Sequence, residues 1–567
     1  MFVRLKTLHA NGRTYQYVHI VENHWDQGKV RQHLLGSLGR LDQLQASGDL
    51  RRVIEGLVAQ CPQVKLREAQ QEGRLRVESD RVWGPVLIFE RLWQELGLEE
   101  LLRELARKGR FNFEVERCAL ALVLQRLLEP ASDRRGAEWI QTVEARGFQA
   151  LRLPHFYRTV GWLWRRKERI EQHLYERGRH LFNAGLDVVF FDTTSTYFEG
   201  RGWEGWAKLG KSRDQRPDHL QLLLGVVMRR DGVPVTCEIW PGNLNDMRTV
   251  VPLLEGLKQR FRIRKVVLVC DRGMVSAANL KAIRQAGYDY IVGMKMRGLL
   301  EVREQVLKRA GRYREVKHNL WVKEVWVGQR RYVVCVNPER AEKDRQDRQA
   351  ILEKLQAKLA SGGVKKLISN RGYRRFLKVT PGTASIDEAR VKQDEKYDGK
   401  YVLRTTTDLP ASEVAEAYKQ LSWIERLWRE LKDVMEVRPI YHHQKKDNVK
   451  GHIFASFLAL YLSATLRRRL DTLRQQEHPE EARDSGKAEP PRLPIRWEKL
   501  LEDLGQLRAI RVQLDQERYL MRPELRGHAH EAFRAVGLRP PPLALEVGLH
   551  SLRSLCLRGG RPRLGAG

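Results

Sequence analysis

The stretch Val188-Val-Phe-Phe-Asp192 decides the predicted fold, because four apolar residues run directly into a carboxylate. A second apolar run, Val266–Cys270, leads into Asp271 in the same way. Short apolar runs of this kind are typical of buried strands. A carboxylate at the mouth of a buried strand is costly unless it is paired or binds a metal. Either aspartate alone is more often a turn or helix cap, so the inference rests on the two together.

The segment from 186 to 295 has the order of elements found in a ribonuclease H-like sheet. The pattern predicts strands at 187–191, 220–228 and 233–239, a helix at 247–261 capped by Asn245-Asp246, a strand at 266–270, a helix at 276–286 and a strand at 288–294. Such a sheet brings the ends of neighbouring strands together. We therefore expect an α/β fold with a ribonuclease H-like catalytic core.

Composition favours a polyanionic partner. The chain has 103 Lys and Arg against 71 Asp and Glu, a net charge of +32. Nucleic acid fits this excess, because each neutralised phosphate releases counterions; a basic protein without such a partner is the alternative. Six cysteines without a C-x-x-C pair indicate core residues in a reducing compartment. The apolar stretch Ile453–Leu466 is shorter than the roughly 20 residues of a membrane span, so we expect a core helix in a cytoplasmic protein that contacts no membrane.

Changes of pattern along the chain predict seven regions. These are a β-rich region with a hairpin at Asn11-Gly12 (1–80), a helical DNA-binding region (81–183), the first part of the core (184–295), a mostly β insertion subdomain (296–405), the catalytic helix and core completion (406–470), a linker (471–496) and a C-terminal region with a basic, disordered tail (497–567). Within the helical region, the basic-aromatic segment 162–167 suits DNA contact, although core packing is the more common role of such tryptophans.

A helix predicted from about 411 to 434 carries the third acid. Tyr418, Leu421, Glu425 and Lys432 fall on one stripe of this helix, and Trp428 sits just beyond the edge of the stripe. Glu and Lys seven residues apart are too distant for an ordinary helical ion pair, whereas Arg429 is correctly spaced for one with Glu425. Three carboxylates in the order strand, strand, helix predict a two-metal site. Oxygen-only ligands favour Mg²⁺ or Mn²⁺ over zinc.

The helix resembles the signature of DDE insertion-sequence transposases of the Tyr-Arg-Glu-Lys class. Tyr418, Glu425 and Lys432 match that signature, while Leu421 replaces its Arg, as in one subgroup of the family. The segments that also resemble this subgroup are Asp192-Thr-Thr-Ser, Pro241-Gly-Asn, Asp271-Arg-Gly-Met, Val437-Arg-Pro-Ile-Tyr-His and Gly451-His-Ile. The resemblance covers about residues 1 to 470.

The resemblance implies cut-and-paste DNA transposition. Asp192, Asp271 and Glu425 would be the catalytic metal ligands, and Tyr418 and Lys432 would hold phosphates near the scissile bond. The substrates would be double-stranded DNA, namely the terminal inverted repeats and the target, joined in a synaptic complex of at least two copies. A related nuclease or a DNA-binding protein without transposition activity is the alternative. A two-carboxylate glycosidase ranks far below, because it has no need of the positive charge.

Several further residues are candidates for contact with DNA. His219 and Arg429 are predicted phosphate contacts. Trp321 and Trp326 in the insertion are candidates for base stacking, with core packing as the favoured role. Glu238, His442 and His443 lie near the predicted sheet or the catalytic helix, and we expect structural or DNA-contacting roles for them.

Overall fold

The computed structural model describes residues 1–10, 12–26, 29–59, 73–181, 187–261, 266–360, 370–380, 383–441, 445–477, 496–514 and 516–546. The chain forms two compact units. The first, here called the terminal unit, combines Met1–Val82 with Gln506–Leu525 and the described residues from Arg539 onward. The second, here called the central unit, combines Trp83–Gly505 with Arg526–Leu538.

Nineteen strands occur in the described part of the chain. They are β1 (Phe2–Ala10), β2 (Arg13–Asp26), β3 (Lys29–Arg40), β4 (Leu75–Val82), β5 (Asp187–Glu199), β6 (Gln221–Arg229), β7 (Pro234–Pro241), β8 (Val266–Cys270), β9 (Asp289–Met294), β10 (Arg314–Lys317), β11 (Leu320–Val327), β12 (Arg330–Val336), β13 (Leu377–Thr380), β14 (Thr383–Ile386), β15 (Lys400–Thr405), β16 (Ile440–Tyr441), β17 (Arg508–Leu514), β18 (Glu517–Met521) and β19 (Ala544–Glu546).

The α-helices that the structure describes lie mainly between these strands. They are α1 (Leu41–Ala46), α2 (Asp49–Ala59), α3 (Gly84–Glu95), α4 (Leu98–Arg107), α5 (Val115–Leu128), α6 (Asp133–Trp139), α7 (Leu153–Arg165), α8 (Lys167–Leu181), α9 (Val250–Phe261), α10 (Ala277–Gln285), α11 (Pro338–Ala360), α12 (Arg371–Arg374), α13 (Glu388–Glu395), α14 (Ala411–Lys419), α15 (Leu421–Arg429), α16 (Lys446–Glu477), α17 (Trp497–Gly505) and α18 (Ala529–Ala535).

The terminal unit contains two antiparallel sheets. β1, β2 and β3 form a meander in which Ala10 faces Arg13 across the predicted hairpin turn. Gly12 takes a positive φ of 69° in this turn, a conformation that glycine adopts without strain; Asn11 lies outside the described residues. In the second sheet β17 pairs with β4, so the C-terminal region contributes strands to a sheet that the sequence did not predict. The predicted basic tail lies outside the described residues.

A ten-stranded sheet organises the central unit, which confirms the predicted α/β class. Its order is β10-β11-β12-β15-β9-β8-β5-β6-β7, with β16 beside β5. β5, β8 and β9 run parallel, and β6 and β7 continue antiparallel. Every residue of β8 is buried, as its unbroken apolar run predicts; Val266, Leu268 and Cys270 belong to one core cluster with residues of α9 and α10. The strands predicted from 220 to 294 are present within about two residues, and α9 begins three residues later than predicted, at Val250 after a short 3₁₀ turn at Asp246–Arg248.

Two local predictions are wrong. β5 does not end at Asp192 but continues to Glu199, because β6 supplies pairing partners as far as Tyr197. The block from 296 to 405 is not a separate, mostly β subdomain. Its strands β10, β11, β12 and β15 extend the central sheet through the pairing of β15 with β9. The rest of the block includes the 23-residue helix α11 and the separate hairpin β13–β14.

The helical layer follows the sequence more closely. Helices α3 to α8 occupy the region predicted to be helical. Helix α16 is long and apolar enough to cross a membrane, but 94% of its most apolar window is buried within the protein, against α5 and α7. It is therefore packed as the core helix that the sequence predicts. It also continues to Glu477, into the predicted linker; residues 478–495 lie outside the described part of the chain. The four cysteines described are free and buried.

Candidate active site

The register of two parallel strands brings the first two candidate carboxylates together. The last residue pair between β5 and β8 joins Phe191 to Cys270. The next residues along the chain are Asp192, within β5, and Asp271, directly after β8, so the two carboxylates are neighbours where the parallel pairing stops. Asp192 also faces Val226 on β6, which fixes it from the other side. The sequence pattern of two apolar runs, each followed by Asp, is thus converted by register into a pair of neighbouring acids.

Asp192 is held in a partly desolvated environment. Burial raises the pKa of Asp192 to about 6, and the charge of Asp271 adds to this rise. Arg213 and the indole N–H of Trp428 oppose the rise by favouring the ionised carboxylate. Trp428 Nε1 donates to Asp192 Oδ2 at 3.2 Å. The carboxylate is therefore ionised at neutral pH, but at an energetic cost that a bound cation would relieve.

Asp271 accepts a hydrogen bond from helix α14. The Tyr418 hydroxyl donates to Asp271 Oδ1 at 3.2 Å. Burial raises the pKa of Tyr418, and Asp271 raises it further, so the hydroxyl stays protonated and remains a donor. Gly293 on β9 makes this approach possible, because a Cβ there would overlap the Tyr418 hydroxyl. Tyr418 thus orients Asp271 in the way that Trp428 orients Asp192.

Glu425 lies on the same cleft but apart from the aspartate pair. A cleft of about 1320 Å³ is lined by Asp192, Asp271, Tyr418, Leu421 and Glu425. Glu425 is exposed on α15. Among the described residues, no three His, Cys, Asp or Glu side chains stand close enough together to hold a metal ion. The cleft therefore joins the three predicted acids without closing them into the compact cluster that the sequence suggested.

The 296–405 block supplies the opposite wall of the cleft. Most of its acidic side chains there are held by arginines. Asp398 receives a bidentate bond from Arg348 at 2.6 Å for each oxygen, Asp394 pairs with Arg297 at 2.7 Å and Asp344 pairs with Arg340 at 3.1 Å. Lys295, Lys354 and Arg375 add positive charge to this wall. The cleft lining thus combines the candidate carboxylates with several lysines and arginines, which suits a phosphodiester approaching a carboxylate site.

Lys432 does not line the cleft with Tyr418 and Glu425, as the predicted stripe would require. Its Nζ lies 2.7 Å from Asp214 Oδ1, which Arg438 also binds at 2.8 Å, and the Lys432 side chain is only 9% exposed. The predicted single helix is divided into α14, α15 and a π-helical turn at Glu430–Val434. This wider turn, closed by a bond from Met435 N to Glu430 O, contains Lys432 and breaks the uniform helical spacing on which the predicted stripe rests.

The other predicted contact residues lie outside the cleft lining. Arg429 is exposed on α15. His219 lies beside Asp218, at 2.8 Å, and Arg216 at the start of β6. Trp321 and Trp326 are 36% and 52% exposed, so the favoured role of core packing is wrong. Both tryptophans are exposed residues of β11. Trp326 Nε1 donates a hydrogen bond to Glu324 Oε1 at 2.8 Å.

Two further candidates are structural. Glu238 belongs to a buried ion cluster with Lys167, Glu171 and Arg260, in which Lys167 Nζ lies 2.8 Å from Glu171 and 3.2 Å from Glu238. Trp162 and Lys167 are both buried, so the basic-aromatic segment 162–167 contributes to the core. His442 and His443 lie outside the described residues.

Sequence reasoning missed the groups that surround Asp192. Arg213 donates to Thr193 Oγ1 at 3.0 Å and to Asp246 Oδ2 at 2.8 Å, and its charge acts on Asp192. Arg213 lies in the long connection between β5 and β6, and the sequence there has no periodic pattern that would predict a role for it. Trp428 did carry a signal, because it borders the stripe that contains Glu425. Asn245 caps the turn at Asp246–Arg248, as predicted.

Comparison with known proteins identifies the family. The model of the transposase DDE domain matches residues 183–462. The model of the N-terminal domain of the IS1634 family of transposases matches residues 3–70. The chain is a DDE transposase of insertion sequences. In this transposase, all the residues that line the cleft lie within the segment matched by the DDE domain.

Similarity to individual proteins is slight. A piggyBac transposase, solved by cryo-electron microscopy as a synaptic complex with hairpin DNA, is 10% identical, and the match covers 74% of this transposase and 79% of that chain. The TM-score is 0.34, too low to support a structural argument. No curated protein matches the sequence significantly.

Proposed function

We propose that this transposase cleaves DNA at the ends of its element and joins the freed ends to target DNA. Water attacks the phosphodiester, the bond to the 3′-oxygen breaks, and a 3′-hydroxyl and a 5′-phosphate result. That hydroxyl then attacks a target phosphodiester and displaces a second 3′-hydroxyl. The observation that carries the proposal is the register that makes Asp192 and Asp271 neighbours on parallel strands. The substrates are double-stranded terminal repeats and target DNA, held by at least two copies, in the cytoplasm.

The sheet topology supports a ribonuclease H-like core. Strands β5 to β9 stand in the spatial order β7-β6-β5-β8-β9, with β6 antiparallel to β5 and with β8 and β9 parallel to it. The sequence predicts the order of these strands and helices along the chain, and the pairing adds their order in the sheet. Asp192 lies within β5 at the point where its parallel pairing with β8 stops, and Asp271 directly follows β8, so both lie at the carboxyl end of this parallel pairing, where α/β sheets commonly carry their sites.

A divalent cation fits the residues at this edge. Asp192 and Asp271 offer only oxygen donors, which suit Mg²⁺ or Mn²⁺. The pKa of Asp192 is raised by burial, so its carboxylate gains from a nearby positive charge. Glu425 is the third ligand candidate, because it lines the same cleft as the two aspartates. Of the other acids there, Asp344, Asp394 and Asp398 are paired with arginines, and Asp347 is exposed on α11. When bound, the cation would activate water and stabilise the leaving oxygen.

The protein groups around the pair hold its geometry. Trp428 and Tyr418 each bind one carboxylate oxygen and so limit the rotation of Asp192 and Asp271. Arg213 offsets part of the negative charge of the pair. Tyr418 lies in the cleft and can contact phosphate, whereas Lys432 is held by Asp214 and positions the β5–β6 connection.

A cleavage assay tests the proposal. Wild type and the variants Asp192→Asn, Asp271→Asn and Glu425→Gln are incubated with duplex DNA carrying the ends of the encoding element and Mg²⁺ or Mn²⁺. We expect wild type to nick at the ends, and each variant to lose at least about 10²-fold in rate while still binding DNA. Asp408→Asn, an exposed carboxylate outside the cleft, is the control and should cut normally. Equal cutting by the three variants would refute the assignment.

A further inference from the structure

Two positions of the signature in the catalytic helix bring no positive charge to the cleft. Leu421, which lines the cleft, stands where the signature has an arginine. Lys432 is paired with Asp214 and does not line the cleft. Phosphoryl transfer builds up negative charge on the non-bridging oxygens of the phosphate, and a cation placed beside them lowers the barrier. We therefore searched the cleft for a cation that lies next to the aspartate pair and is not already neutralised.

Arg272 directly follows Asp271 and lines the same cleft. Its backbone is held on both sides. Strand β8 before it is buried throughout, and Arg272–Met274 form a 3₁₀ turn in which Met274 N donates to Asp271 O at 3.1 Å. Met274 is buried in the core cluster of β8, and Asn279 Nδ2 donates to its carbonyl at 2.8 Å. The turn thus holds the Arg272 backbone in place while the side chain stays exposed.

The charge of Arg272 acts where Asp271 is oriented. Burial and the negative charge of Asp271 raise the pKa of Tyr418, and the positive charge of Arg272 opposes that rise. The Asp271 side chain does not cap the 3₁₀ turn; it accepts the hydrogen bond of the Tyr418 hydroxyl at 3.2 Å. The guanidinium of Arg272 therefore lies within electrostatic range of the hydroxyl that binds Asp271.

Arg272 also differs from the other arginines near the site, because no acid neutralises it. In the part of the chain that the structure describes, no carboxylate forms an ion pair with its guanidinium. Arg213, whose charge acts on Asp192, is bound by Asp246 at 2.8 Å. The arginines of the opposite wall, Arg297, Arg340 and Arg348, pair with Asp394, Asp344 and Asp398. An exposed guanidinium can offer a phosphate two parallel N–H donors.

We propose that Arg272 binds a non-bridging oxygen of the phosphate at the junction between the element and its flanking DNA, from the Asp271 side of the cleft. The inference rests on the proposed function and adds to it a substrate-binding residue outside the helix signature. In the cleavage step the oxygen of water bonds to phosphorus, the bond to the 3′-oxygen breaks, and a proton of the water ends on that oxygen. Arg272 donates hydrogen bonds during this step and keeps its own protons.

A binding cycle in EDTA tests the contact without cleavage. The probe is a fluorescein-labelled duplex that spans the junction between the terminal repeat of the encoding element and its flanking DNA. The junction carries either a natural phosphate or a methylphosphonate, which has a neutral methyl group in place of one charged oxygen. We expect Arg272→Gln alone, or the methylphosphonate alone, to weaken binding by the full-length protein about 10-fold. Both changes together should weaken it little further, because they remove the same contact.

Arg248→Gln is the matched control. Arg248 is an exposed arginine that ends the neighbouring 3₁₀ turn, Asp246–Arg248, and it does not line the cleft. The methylphosphonate should weaken binding by this variant as much as it weakens binding by wild type. The comparison of the two duplexes on wild type measures the phosphate contact without any substitution in the protein.

Nicking with Mg²⁺ measures what the contact does in the transition state. At saturating protein we expect Arg272→Gln to lower the single-turnover rate at least about 10²-fold, with an unchanged melting temperature because the side chain is exposed. The proposal is overturned if the methylphosphonate weakens Arg272→Gln as much as wild type, or if this variant nicks at the wild-type rate. A wild type that binds but never nicks refutes the proposed function, and the binding cycle still decides whether Arg272 contacts the phosphate.

Discussion

At the scale of single residues, Asp192 is where burial and function conflict. Burial raises the free energy of its ionised carboxylate. Trp428 and Arg213 favour the ionised form and offset only part of that cost. Such a conflict is common where a site is built to receive a cation or to carry chemistry. The conflict has a measurable consequence for stability and another for the pH dependence of cleavage.

Neutralising Asp192 should stabilise the protein. Because its folded pKa of about 6 lies above the ordinary value of 3.8, ionisation costs folding energy. The cost is absent below pH 4, grows between pH 4 and 6, and is complete above pH 6. In EDTA at pH 7.5 we expect Asp192→Asn to raise the free energy of unfolding by about 2 kcal/mol, discounted for partial exposure. Urea denaturation at pH 7.5 and pH 4 measures the difference, which should vanish at pH 4. A difference of the same size at both pH values would show that ionisation of Asp192 is not its cause.

Removing the indole donor to Asp192 should move the pH profile. Trp428→Phe deletes the N–H that favours the ionised carboxylate, so the pKa of Asp192 should rise further. We expect the acidic limb of the nicking rate to shift upward by about half a pH unit. Trp423→Phe is the matched control, because Trp423 Nε1 is buried without a hydrogen-bond partner in the described structure. If the acidic limb shifts equally in both variants, or in neither, the indole of Trp428 does not control the pKa of Asp192.

At the scale of elements, helix contacts set the framework behind the cleft. Helix α16 is buried along most of its length and crosses α7 closely at Gly451. A Cβ at that position would overlap the main-chain carbonyl of Val160, and the backbone of a packed helix cannot yield as a flexible side chain can. The glycine is required for close approach and not for an unusual backbone conformation.

Adding one methyl group at this crossing should destabilise the central unit. We expect Gly451→Ala to lower the free energy of unfolding by about 2 kcal/mol or more, because α7 and α16 must separate. Thermal melting followed by circular dichroism gives the comparison. Gly505→Ala, which meets no atom within 4 Å, should change stability by less than about 0.5 kcal/mol. A neutral Gly451→Ala would show that the two helices separate at little cost.

At the scale of the whole molecule, net charge should govern association with DNA. With a charge of +32, a footprint of six or more phosphates is expected to lose about 10³-fold in affinity for duplex DNA between 50 and 200 mM salt. Fluorescence anisotropy measures this salt dependence on a labelled duplex of unrelated sequence, so that sequence-specific recognition does not contribute to the affinity. An affinity that is flat across this range would rule out backbone neutralisation as the main source of binding.

Much of the fold was readable from the sequence because its signals are local. The buried run before Asp271, the cap at Asn245 and the spacing of apolar residues in α16 each depend on residues close together in the chain. The strands from 220 to 294 followed from such patterns to within about two residues. The pairing of two apolar runs, each followed by Asp, also predicted the neighbouring acids. The motif in the catalytic helix pointed to the transposase family that the domain matches establish.

Tertiary structure decided what depends on partners distant in sequence. Pairing of β15 with β9 made the 296–405 block part of the central sheet, and pairing of β17 with β4 joined segments more than 400 residues apart. Lys432 lies in a π-helical turn and pairs with Asp214, although its spacing placed it on the stripe of Glu425. Sequence determined which segments are strands, helices and charged ends, because those follow from local backbone and burial preferences. Strand register and ion pairing were decided only in the folded chain, because each depends on contacts between residues that are far apart in the sequence, and local periodicity carries no information about such contacts.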